Sequence, residues 1–213
     1  LSIAEHGGSA AVPSQVRTLE LLEATGRLDR RVEGLETSDV LLRRVSDNRG
    51  LTRPELAVLV SLSKLSLQDA AEDLKLADEP MLRDQLLAAF PKPMQQAHGD
   101  AILAHRLRHE ILATKIANRF VNRLGPSVAL DMTEEEGASL GQVVVAFLVA
   151  ERLLQLDRLW ERIEQADVTE QARLELFTIA GQSVRSHIGD ILRAGGGETS
   201  VSRLVELLQP GLE

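Results

Sequence analysis

The residues able to do chemistry are few. Two histidines, His105 and His109, stand four apart, a spacing that brings both rings to one side of a helix. His109-Glu110 begins a zinc-protease pattern whose second histidine would fall at position 113, which is alanine. A two-histidine metal site would need a third ligand from elsewhere, so the plainer reading places both rings on a solvated face. There is no cysteine, which removes thiolate nucleophiles, thiolate metal ligands and disulfides. Of the four lysines, Lys64 lies in the most apolar stretch, where burial could lower its pKa and make it reactive. More commonly such a side chain runs its stem over apolar surface and keeps the ammonium wet. Gly195-Gly196-Gly197 lacks the lysine and preceding strand of a phosphate loop, and no G-x-G-x-x-G fingerprint occurs. We therefore assign no catalytic, cofactor-binding or metal residue.

What remains is a basic stripe. Lys115, Arg119 and Arg123 are spaced four apart, with Arg106 and Arg108 before them, all expected on one helix. Such a face could contact phosphates or an acidic partner. Cations near a helix C-terminus are also favoured by its dipole, which accounts for Arg119 and Arg123 without a ligand. Asn118 and Asn122 flank the same stripe and would need hydrogen-bond partners if buried. Arg106, Lys115, Asn118, Arg119, Asn122 and Arg123 are the candidate contacts to another domain or partner.

The elements that must carry these residues are all expected to be helical. Of 213 residues, 44% are apolar and 2% aromatic, so the core is built from Leu, Ile, Val and Ala. Periodicity and stop signals predict a helix from Pro13 to Thr25, a short one to Glu33, and another from Ser38 to the turn at Asp47–Gly50. Thr52-Arg53-Pro54-Glu55 reads as a capping box. The helix it opens, through Leu67, is apolar nearly all round and is expected to be central. A short helix from Asp78 or Pro80 to Ala89 precedes the break at Phe90–Pro93. A long one then runs from Gln95 or Asp100 to Arg123. Thr133–Glu136 reads as a second capping sequence at a helix start. A buried helix around Val143–Ala150, a short one over Leu156–Ile163 and a further one opened by Asp167 with Glu170, its apolar stripe running from Leu174 to Ile191, follow, and a last one starts at Thr199 or Ser200. No alternating strand pattern occurs. The fold expected is all-α, a single irregular bundle of about eight to ten helices with no sheet. One domain over 1–213 is expected, with any subdivision near 125–131.

Asp and Glu number 32 against 24 Lys and Arg, a net charge of −8 that argues against nucleic acid and anionic membrane as partners. No apolar stretch is long enough to span a bilayer, and residues 1–11 lack the pattern of a signal peptide, so a cytoplasmic setting is expected. A chain opening on Leu rather than Met suggests a piece of a longer protein.

Several stretches resemble one family. RGLTRPELAVL at Arg49–Leu59, FPKP at Phe90–Pro93 and HRLRHEILATKIANRFVNRLG at His105–Gly125 are similar to hallmarks of the large bacterial NAD-specific glutamate dehydrogenases. LEATGRLDRRVEGLETSD at Leu22–Asp39 resembles the segment preceding them, while Glu135–Ser139 and the helix bearing Trp160 match more loosely. Ser61-Leu62-Ser63-Lys64 departs from the pattern, standing where the family usually has an aromatic residue. The resemblance implies a helical C-terminal part of a much longer chain. Its parent would oxidise L-glutamate to 2-oxoglutarate and ammonium with NAD, through residues upstream of these helices. It also implies the upstream catalytic domain as partner and a homo-oligomeric parent. A free-standing helical interaction module is the alternative.

Overall fold

The computed structural model describes residues 2–211, with side chains for 4–210; Leu1, on which the inference of a longer chain rests, lies outside them. Twelve α-helices and short 3₁₀ turns make up the described residues, with no strand among them. In order they are α1 (Ser2–His6), α2 (Val12–Ala24), α3 (Ser38–Ser46), α4 (Arg53–Asp73), α5 (Arg83–Leu87) and α6 (Lys92–Leu103). They continue as α7 (Arg108–Leu124), α8 (Val128–Glu136), α9 (Leu140–Leu153), α10 (Leu156–Gln165), α11 (Glu170–Gly195) and α12 (Val201–Leu208). The all-α expectation holds. The number exceeds ten because α1 and α8 are additional and the long helix expected to end at Arg123 is divided into α6 and α7, while the stretch to Glu33 forms no helix.

Two hydrophobic clusters form the core. The first gathers Val12, Val16, Leu19 and Leu22 of α2 with Leu41 of α3 and Leu56 and Leu59 of α4. The second is larger and contains Leu67 and Ala71 of α4 and the apolar faces of α7 to α12. Helix α4 thus spans both clusters, one end in each.

It is central, as expected, packing against α1, α2, α7 and α9, but it is not covered all round. Leu65 is 50% exposed, and the buried positions 63 and 66 are serines. Ser66 satisfies its hydroxyl by donating to Leu62 O at 3.0 Å. The enclosed helix is α9, in which every residue from Val143 to Glu151 is buried. It packs against α4, α8, α10, α11 and α12, and needs apolar groups all round because it has neighbours all round. Each buried valine there contributes on the order of 1.5–3 kcal/mol relative to exposure.

Local signals explain several helix ends. Thr52 caps α4 as expected: its backbone N–H donates to Glu55 Oε2 at 2.7 Å and its hydroxyl to the same oxygen at 2.8 Å. Helix α9 starts with another such box, in which Ser139 N–H donates to Gln142 Oε1 at 2.8 Å. On α11, Gly181 lets the end of α7 approach closely, since a Cβ there would stand 3.3 Å from Arg123 O.

Three expectations are corrected. The stretch ending at Glu33 is a series of turns, with Asp29 Oδ1 accepting from the Arg31 N–H at 2.9 Å and Val32 78% exposed. With little apolar surface to bury, local side-chain bonding wins over helix. The long helix to Arg123 is two helices, because the chain turns at Ala104–Leu107 between α6 and α7. There His105 Nδ1 accepts from the Leu107 N–H at 3.1 Å, and Leu107 stands exposed rather than in the core. Finally, Thr133–Glu136 ends α8 instead of opening a helix, and Gly137 terminates it with φ +63°. Three glutamates at a C-terminus oppose the helix dipole. Arginines from α2 and α11 compensate: Arg17 pairs with Glu134, Arg185 with Glu135 at 2.6 Å, and Arg193 with Glu136.

Candidate functional site

Helix α7 places its cations in a row because residues three and four apart share a face. Lys115, Asn118, Arg119, Asn122 and Arg123 all line one cleft of about 700 Å³, whose other walls are Gln85 and Ala88 from α5 and its end, and Asp157 from α10. Arg106 does not line this cleft; it sits exposed on the turn before α7. The break between α6 and α7 takes it off the shared face.

Each cation of the row has an internal partner. Lys115 Nζ donates to the backbone oxygen of Ala88 at 3.1 Å. Arg119 holds Glu151 with both prongs, Nε to Oε1 at 2.8 Å and Nη2 to Oε2 at 2.7 Å, and reaches Gln85 Oε1 at 2.9 Å. Arg123 Nη2 donates to Glu164 Oε1 at 2.6 Å. Its guanidinium also lies over two aromatic rings, 5.4 Å from the centroid of Trp160 and 5.2 Å from that of Phe177. Those rings stack on one another at 6.0 Å. The stripe therefore stitches α7 to α5, α9, α10 and α11. Asn118 is half-buried and Asn122 exposed, with both side chains on the cleft lining.

Glu151 was not singled out in the sequence, yet it is the charged centre of this region. It ends the apolar run of α9 with only 8% exposure. Burial pushes its carboxyl above the usual carboxylate range; the charge and hydrogen bonds of Arg119 pull the other way without overcoming it, and nearby Asp157 adds to the rise. A lone carboxylate closing nine buried positions was the available signal, since a charge there must be paired. Glu151 also lines a second cleft of about 720 Å³, which shares Gln85 and Asp157 with the first. Gln155 on this second cleft adopts a left-handed conformation, φ +50°, which is strained for a side chain of its kind.

The histidines do not converge. His105 is in the turn, whereas His109 is on α7, with its Nε2 3.8 Å from Asp78 Oδ2. His109 is half-buried rather than on the solvated face expected, and Asp78 beside it is also paired with Arg108 at 2.9 Å. Among the described residues no group of three His, Cys, Asp or Glu is placed to hold a metal ion. Lys64 is half-buried, and burial pushes its pKa down, but it lines none of these clefts. No helix is long and apolar enough to cross a membrane among the described residues.

With this geometry in place, comparison with known proteins is informative. The family model described as glutamate dehydrogenase, C-terminal, matches residues 48–213. The NAD-specific glutamate dehydrogenase of Pseudomonas aeruginosa is 34% identical over 176 residues, covering 83% of this chain and 11% of that protein. That of Halomonas elongata is 33% identical over 167 residues, 78% of this chain and 10% of its own length. The Mycobacterium tuberculosis enzyme of the same name is 26% identical over 160 residues, 75% of this chain and 10% of its own. The chain spans about a tenth of the length of these relatives. It belongs to the glutamate dehydrogenase C-terminal family.

Proposed function

We propose that this chain is a non-catalytic helical C-terminal module of an NAD-dependent glutamate dehydrogenase, with a structural, assembly or regulatory role. The parent reaction would convert L-glutamate, NAD and water to 2-oxoglutarate, ammonium and NADH in the cytoplasm, within a homo-oligomer. The observation that carries this reading is the family match over residues 48–213, in a chain a tenth the length of its relatives. The cations near the clefts are engaged in holding helices together, which suits a structural role. Its contacts with the upstream catalytic domain would use the face of α7 that bears Lys115, Asn118, Arg119, Asn122 and Arg123, and separately Arg106 on the turn before α7.

Exposed apolar residues on the opposite cluster support a surface covered in a longer chain. Val32, Val40, Leu42 and Val45 all stand in solvent on α3 and the turns before it. The test is complementation. The upstream region, prepared without this chain, is assayed for glutamate-dependent NAD reduction and for oligomeric state, alone and with the chain added. The expected result is no reduction by the chain alone, and restored assembly or activity on mixing. Turnover by the homogeneous chain would overturn the non-catalytic reading, and absence of any association would overturn the docking role.

A further inference from the structure

We infer that the cleft walled by α5, α7 and α10 is a binding site for a small oxyanion, a phosphate or carboxylate group, seated against Lys115, Asn118 and Asn122. The inference rests on reading the α7 face as a recognition surface, and not on the family's reaction.

The three cations of the cleft are not equivalent. Arg119 is neutralised by a bidentate carboxylate, Glu151, and Arg123 by Glu164. Among the described residues Lys115 meets only a neutral backbone oxygen, that of Ala88. An ammonium has three donors, so its charge and two of its hydrogens remain for another acceptor. One and two turns along the same face stand the Asn118 and Asn122 amides, each able to donate twice. Neither makes a side-chain hydrogen bond among the described residues, although Asn118 is half-buried.

The walls around these donors are held in place. Arg119 ties α7 to α5 through Gln85 and to α9 through Glu151, and Arg123 is clamped between Glu164 and two aromatic rings. With the walls fixed, binding has to order only the Lys115, Asn118 and Asn122 side chains. Asp157 on the α10 side repels an anion and so directs it toward α7. The cleft is large enough for more than a bare ion, at about 700 Å³. The chain carries a net charge of −8, so non-specific attraction of anions is disfavoured and a local site must supply its own donors.

The experiment is a titration of the 213-residue chain, at low ionic strength, with inorganic phosphate and separately with succinate, followed by amide chemical shifts. Saturable shifts confined to α5, α7 and α10 are expected with at least one probe. Lys115→Met should weaken that binding about tenfold, as expected for loss of a charged hydrogen bond. Lys75→Met removes the same unit charge from an exposed position away from the cleft and should leave it unchanged. Response to phosphate alone identifies a phosphoryl ligand, and response to succinate alone a carboxylate. No saturable shift with either probe at tens of millimolar overturns the site, as does equal weakening by Lys75→Met and Lys115→Met. Because the readout is anion binding, its failure leaves association with the catalytic region to be judged separately by the complementation assay.

Discussion

Two arginine–glutamate pairs whose carboxylates are buried, one at the edge of each hydrophobic cluster, have those carboxylates pulled in opposite directions. In the first cluster Arg44 grips Glu55 with two bonds of 2.7 and 3.0 Å. Burial raises the Glu55 carboxyl, but the bonds from Arg44, the Thr52 N–H and the Thr52 hydroxyl together bring it below the usual range. In the second, Arg119 grips Glu151 just as closely, yet burial prevails and the carboxyl is raised. The difference lies in the surroundings. Glu55 sits at a helix N-terminus with extra donors, whereas Glu151 stands three turns into an apolar helix and, among the described residues, has Arg119 as its only partner. The same ion pair therefore stabilises where the backbone assists it and approaches break-even where it must overcome desolvation.

The comparison is tested most strongly by removing one partner at a time. Arg119→Met should destabilise by about 3–5 kcal/mol in urea unfolding, since it strands a buried carboxylate. The double variant Arg119→Met/Glu151→Met should recover most of that loss. If the double variant is no better than the single one, desolvation is not the dominant cost at Glu151. Removing Glu55 costs a pair and a capping bond together. Glu55→Ala should lower stability by about 2 kcal/mol, with the α4 start fraying first by hydrogen exchange.

Acid unfolding sharpens the contrast. The stabilisation from Glu55 is complete above the ordinary carboxyl titration and vanishes as pH falls through its depressed value. Glu151 behaves oppositely: the folded chain takes up its proton more readily than the unfolded chain, so its contribution improves as pH falls from neutrality through its raised value. Urea midpoints measured across this range should show a smaller acid-side decline in Glu55→Gln than in the parent chain. In Glu151→Gln they should lose a rise nearer neutrality. Interchanged behaviour would refute the assignment. The smallest effect is expected at the end of α8, where Arg185→Ala breaks an exposed pair and should cost no more than about 1 kcal/mol, less in high salt.

Much of the helical plan was legible from residues i to i+4. The Thr52–Glu55 cap, the end of α2 near Gly26, the break at Phe90–Pro93 and the all-α class all depend on neighbours within one turn. The acidic run at 134–136 misled because its sign suits a helix start. Only arginines at positions 17, 185 and 193, remote in sequence, make it tolerable at a helix end. The candidate site was half legible for the same reason. Lys115, Asn118, Arg119, Asn122 and Arg123 share a face by helical spacing alone, whereas Arg106 leaves it through a turn set by His105.

The sequence by itself determined where most helices start, which apolar stripes they carry, and the family to which the chain belongs, because those properties are written in adjacent residues. Tertiary structure decided that α9 rather than α4 is the enclosed helix, that Glu151 faces Arg119, and that Lys115 is the cation of the cleft without a carboxylate partner among the described residues. Enclosure and charge compensation depend on which distant surfaces meet, and helical periodicity does not encode that.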